Sequence, residues 1–225
     1  MHMRMLINVL KAFSAGLLLM GLNLSAVAMD EDSFPDLEPD TDSVNEGELQ
    51  FLSQPPEAPV HYHQNYIIIT AESMVTGWIQ LRQCHYHLDA VPSAQVVYNA
   101  SHTRNLRIVS ESRIDKAWVE GSTVQLSGIH QQAILCVDAE TRAFWPDDKG
   151  GFVLRNGPYM RRFLDGYYPM HISLTIEYPG QLLRFRASQP EPQPGFRVQT
   201  SKNQLNIDSW FAGRLITELS FDHNI

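Results

Sequence analysis

Two histidine pairs are the residues best placed to do chemistry. His61 and His63 form one H-x-H, and His85 and His87 form a second beside Cys84. On a strand, side chains two apart leave the same face, so each pair could offer two imidazoles to one copper or zinc ion. No spacing of a zinc finger accompanies them, and no third ligand is assured. One expectation of function is therefore a periplasmic metal-binding protein using His85, His87, His61 and His63.

The second candidate is the segment from Arg155 to Tyr168, LRNGPYMRRFLDGYY with its leading leucine. Arg155, Tyr159, Arg161, Arg162, Tyr167 and Tyr168 would make a basic patch rimmed by aromatic rings. A guanidinium fork grips carboxylate or phosphate with two parallel bonds, so the expected ligand is an anionic group or a protein partner. Pro158 suits the first turn of a helix and Gly166 its end, which predicts two helical turns over 158–165. Catalytic signatures are missing: there is no G-x-S-x-G, H-E-x-x-H, P-loop or G-x-G-x-x-G. The expectation is a non-enzymatic binding or assembly protein, with no cofactor besides the possible copper or zinc.

The two cysteines form no CxxC, and an even count in an exported chain predicts one bridge, Cys84–Cys136. Export itself is read from residues 1–28. Arg4 and Lys11 precede an apolar run over 12–24, and Ser25-Ala26-Val27-Ala28 supplies small residues for cleavage. That run is too short to cross a bilayer as a helix, so no transmembrane span is expected in the mature chain. The location expected is periplasmic or secreted.

The chain that must position these residues has 225 of them, 44% hydrophobic and 19% charged, with a net charge of −8. That acidity argues against a nucleic-acid partner. It is also local. Residues 29–60 hold ten acidic side chains and no basic one, with five prolines, and read as an acidic disordered tether. Phe34, Leu37, Phe51 and Leu52 are exceptions that could dock on a partner.

Beyond His61 the dominant period is two. Met170 to Tyr178 alternates apolar and polar without a fault, as a strand with one buried face requires. Shorter alternations at Val124/Leu126, Leu205/Ile207 and Leu215–Phe221 are separated by turn signals such as Pro179-Gly180 and Ala212-Gly213. The fold class expected is all-β. Gln95–Tyr98, Leu106–Ile108, Val124–Leu126 and Ile134–Leu135 are echoed about 80 residues later, a period close to that of an immunoglobulin-like domain. The layout resembles bacterial immunoglobulin-like modules. It implies two tandem β-sandwich domains, over 61–155 and 170–225, joined by the linker helix and turn of 156–169.

Overall fold

The computed structural model describes residues 47–163 and 166–224; the expected signal peptide and residues 29–46 of the expected tether lie outside them. The elements are β1 (Gln50–Phe51), β2 (Tyr62–Ile68), α1 (Ser73–Thr76), β3 (Trp78–Leu88), β4 (Ser93–Val97), β5 (Thr103–Glu120), β6 (Thr123–Arg142) and β7 (Phe144–Pro146). They continue with β8 (Phe152–Tyr159), β9 (Arg161–Phe163), β10 (Gly166–Tyr168), β11 (Met170–Glu177), β12 (Leu183–Gln189), β13 (Phe196–Thr200), β14 (Gln204–Ala212) and β15 (Leu215–His223). The fold is all-β, as the alternation requires.

A nine-stranded sheet runs β1-β14-β11-β2-β3-β6-β4, with β13 also on β14 and β5 also on β6. A four-stranded sheet runs β12-β15-β8-β7, and β9 pairs with β10 alone. Strand β11 shows why the large sheet has one wet face. Ile172, Leu174 and Ile176 are fully buried, while the odd positions between them stay half-buried. These side chains join Leu135 and Val137 of the large sheet and Leu154, Leu219 and Phe221 of the small one in one continuous apolar cluster. The two sheets thus enclose a single core in the manner of a sandwich.

That topology corrects the expected division into two domains. Strand β2, near the start of the first expected domain, pairs in parallel with β11, which opens the second. One sheet and one core cross the supposed boundary, so residues 61–155 and 170–225 are not separate sandwiches. The duplication also dissolves in the pairing. Val124–Leu126 and Ile134–Leu135 lie on the single strand β6, whereas their counterparts near 205 and 215 lie on β14 and β15 in different sheets. Two stretches with the same period share an alternation, which any half-buried strand produces.

The expected linker helix is strand at Pro158, Tyr159 and Arg161–Phe163, and its last two residues, 164 and 165, lie outside the described residues. Residues up to Tyr159 finish β8, and Arg161–Phe163 pairs with Gly166–Tyr168. Strand β15 bonds across the whole of β8, which answers backbone groups that a helix would have paired internally. Tyr159 ends β8 with its ring in the core, 1% exposed.

Part of the expected tether is ordered into the sheet. Gln50 and Phe51 pair with Ala212 and Phe211, and the Phe51 ring lies 5.3 Å from that of Phe196. Two glycines with positive φ make the room. A Cβ on Gly213 (φ 89°) would run into the carbonyl oxygen of Glu48, and one on Gly195 would stand 2.6 Å from that of Leu52. Phe51, read as a contact for a partner, is used by the chain itself.

Candidate functional site

The inner faces of β2 and β3 carry polar residues where the core pattern calls for apolar ones. His61, just before β2, and His63 and Asn65 within it share one phase with buried Ile67 and Ile69; Gln83 and His85 on β3 face the same interior. His61, His63 and His85 are 5%, 0% and 2% exposed. Antiparallel register sets His63 opposite His85, and their rings stack at 4.3 Å between centroids. The edge of the Tyr159 ring meets His63 at 5.2 Å.

Hydrogen bonding fixes the tautomers. His85 Nε2 lies 3.2 Å from Gln83 Oε1, a carbonyl oxygen that can only accept, so this nitrogen carries the hydrogen. A neutral His85 then accepts at Nδ1, and His61 Nε2 donates to it across 3.0 Å. Gln83 Oε1 also receives the Tyr98 hydroxyl at 2.6 Å, while its amide donates to Asn65 Oδ1 at 2.9 Å. The chain of donors runs from His61 through His85 and Gln83 to Asn65.

Several groups beside this chain have no partner. Both ring nitrogens of His63, the Asn65 Nδ2 and the Tyr159 hydroxyl are buried and make no hydrogen bond. Gln83 lies near enough to His63 to favour its cation weakly, yet not in bonding geometry. Burial dominates every charge in this interior. It holds His61 down to about 4, opposed by the Asp89 carboxylate and reinforced by Arg161 and His87. Burial, then the neighbouring imidazoles, holds His63 and His85 well below the ordinary histidine range. Burial also drives the Tyr98 and Tyr159 phenols up, and Tyr159 adds to the effect on Tyr98. The cluster is a neutral network at pH 7.

The structure therefore brings together three of the four histidines read as metal ligands and separates the fourth. The β3 register slips between His85 and Leu88, and His87 adopts φ 54° with its side chain exposed. Among the described residues, no group of three or more His, Cys, Asp or Glu side chains is arranged to hold a metal ion. The reason is visible in the rings: they stack or bond to each other, so their lone pairs do not converge on a point. Cys84 is bridged to Cys136 directly across β3 and β6, as expected.

Asp89, Gln83, Asn65 and Tyr98 were not singled out by spacing. Their signal was phase: Asn65 and Gln83 are amides at positions the alternation assigns to the core.

The basic segment is divided between core and surface. Tyr159 is core and cannot be part of a contact surface, which corrects its place in the expected patch. Arg155 pairs with Glu218. Arg161 grips Asp89 with two bonds of 3.0 and 2.6 Å and also donates to the Pro169 carbonyl. Arg162 is exposed, its guanidinium 5.4 Å over the Tyr167 ring opposite it on β10. Tyr168 is 36% exposed on the same short sheet.

On the outer face of the large sheet lies a shallow cavity of about 320 Å³, lined by Tyr66, Gln80, Arg82, Asn105, Arg107 and Asp138 among others. Its charges answer each other: Asp138 accepts from both Arg82 and Arg107, and the Arg82 bond above all holds its carboxyl below the usual range. No protein-family model matches the chain, and no curated protein matches it.

Proposed function

We propose that this chain is an exported, non-enzymatic binding or assembly protein of the cell envelope, with β9 and β10 as its contact surface. One observation carries the reading: Arg162, stacked on Tyr167, and Tyr168 stand exposed on a pair of strands belonging to neither main sheet. Arg and Tyr are the side chains that anchor protein interfaces, because each joins a large flat surface to a polar end. Arg162 has the planar fork that a carboxylate or phosphate on the partner would fill. Export is supported by the cleavable leader read at 1–28 and by the Cys84–Cys136 bridge, which persists in an oxidising compartment. Among the described residues no helix is long and apolar enough to cross a membrane.

The test is crosslinking in the native envelope followed by capture of the full chain, run beside an Arg162→Ala/Tyr168→Ala variant of unchanged melting temperature. A stoichiometric partner retained by the natural chain and lost by the variant supports the surface. Equal recovery by both removes it.

A further inference from the structure

Of the twelve arginines beyond His61, eight hold a carboxylate in an ion pair. Among the described residues, Arg113, Arg142, Arg162 and Arg214 do not, and the last two flank the point where the N-terminal segment meets the sandwich. Gly47 lies against β10: a Cβ on it would stand 3.1 Å from the Tyr167 ring, over which the Arg162 guanidinium sits at 5.4 Å. The Glu48 carbonyl lies against Gly213, which directly precedes the exposed Arg214. The chain thus passes between two cations that hold no carboxylate. Residues 29–46, just before it, carry eight acidic side chains and no basic one. We propose that this acidic segment docks on β9 and β10, its carboxylates on Arg162 and Arg214, and covers that face against other anionic partners. The docking rests on this placement; that it regulates a contact rests on β9 and β10 being the contact surface.

Reach and chemistry agree. Glu46 adjoins Gly47, and five further residues back toward Asp42 span at most about 18 Å of chain. Both arginines flank residues 47–48, well inside that span. A guanidinium fork donates two parallel bonds to a carboxylate, as Arg161 does to Asp89 from the same strand. That pair neutralises Arg161 and leaves Arg162 as the open fork of β9. Phe34 and Leu37 add apolar surface for the rings of Phe163 and Tyr168, which pack edge to face at 5.4 Å.

An exposed ion pair is weak by itself and is screened by salt. A segment joined by a few residues, however, meets its site at an effective concentration of about a millimolar. A second copy bringing the same segment from solution would be far more dilute, so the chain's own acids are the favoured occupant. A partner that binds the two forks more strongly can still displace them.

Phenylglyoxal labelling of the full chain, read residue by residue by mass spectrometry, tests this, because a guanidinium held by a carboxylate reacts slowly. Arg113 on β5, which has no carboxylate partner, is the internal reference. At low salt Arg162 and Arg214 should react about three- to tenfold more slowly than in a variant with the eight acidic residues of 29–46 changed to Asn or Gln, while Arg113 reacts equally in both. About 0.5 M salt should erase the slowing in the natural chain, a comparison that needs no variant. Equal labelling of Arg162 and Arg214 in both chains overturns the proposal, as does a slowing that extends to Arg113. A slowing that grows with protein concentration assigns the segment to a second copy and overturns it too. In envelope capture the neutralised variant should retain more partner than the natural chain; unchanged retention beside slowed labelling overturns the covering role. Slowed labelling with a partner held equally by Arg162→Ala/Tyr168→Ala supports the docking and removes the contact surface instead.

Discussion

Two tyrosines of similar burial stand in opposite situations. Tyr98 gives its hydroxyl to Gln83, whereas the Tyr159 hydroxyl is buried with no partner. Removing a satisfied hydroxyl strands the acceptor, and removing an unsatisfied one relieves a desolvation cost. Tyr98→Phe should therefore lose about 1–2 kcal/mol in urea unfolding, and Tyr159→Phe should hold or gain about 1 kcal/mol. A loss on Tyr159→Phe as large as on Tyr98→Phe would mean that its hydroxyl is bonded after all. Spacing identified the right residue type at this scale. The i, i+2 rule placed His61 and His63 on one face correctly, because β2 is regular. It failed for His85 and His87 because a register slip turned His87 outward, and a bulge leaves no mark in a spacing rule.

Among the elements, strands were legible wherever one face is buried and the other wet. Strand β11 follows its alternation throughout. The segment after Asn156 was not legible. Proline and glycine at these positions fit a helix and equally fit strands, and only the pairings of β8 with β15 and of β9 with β10 decide between them. The docking of β1 was hidden for a related reason, since its composition is that of a tether and its partner strand, β14, lies far along the chain. Gly213→Val tests that docking. The added side chain meets the Glu48 carbonyl at a positive φ, so we expect about 1–3 kcal/mol of lost stability and faster proteolysis near residues 48–52. An unchanged cleavage pattern would show β1 to be independent of that glycine.

Across the whole molecule, buried titratable groups fix the pH range of stability. His61, His63 and His85 have folded-state values below their unfolded one, so the unfolded chain binds the extra protons. Stability is full above about pH 6.5 and falls as pH drops below it, by up to about 1.4 kcal/mol per unit for each histidine titrating. Tyr98 and Tyr159 act at the other end, where stability falls as pH rises past about 10. A series of urea midpoints from acid to alkali checks both slopes; a flat acid limb would mean that the histidines are hydrated. The bridge acts on the unfolded state. Closing a sequence separation of 52 residues is worth roughly 4 kcal/mol, so reductant should lower the melting temperature by about 10 °C. Identical melts with and without reductant would remove that contribution. The pairing of the two cysteines was readable because only one pair exists. The single core was not, because β2 and β11 carry no sign of each other in their own residues.

That parallel pair also sets the order in which the molecule can come into being. A chain emerging from its N-terminus presents β2 and β3 early, yet β2 has one edge open until residue 177 has appeared. Strand β14 must follow before β1 finds its place. A polypeptide delivered gradually therefore has no stable halfway product, and its final strands complete what its first strands began. Contacts so distant along the chain are gathered slowly, so newly made molecules spend a long interval with hydrophobic strand edges uncovered. Whatever delivers this protein must keep those edges apart until the C-terminus arrives.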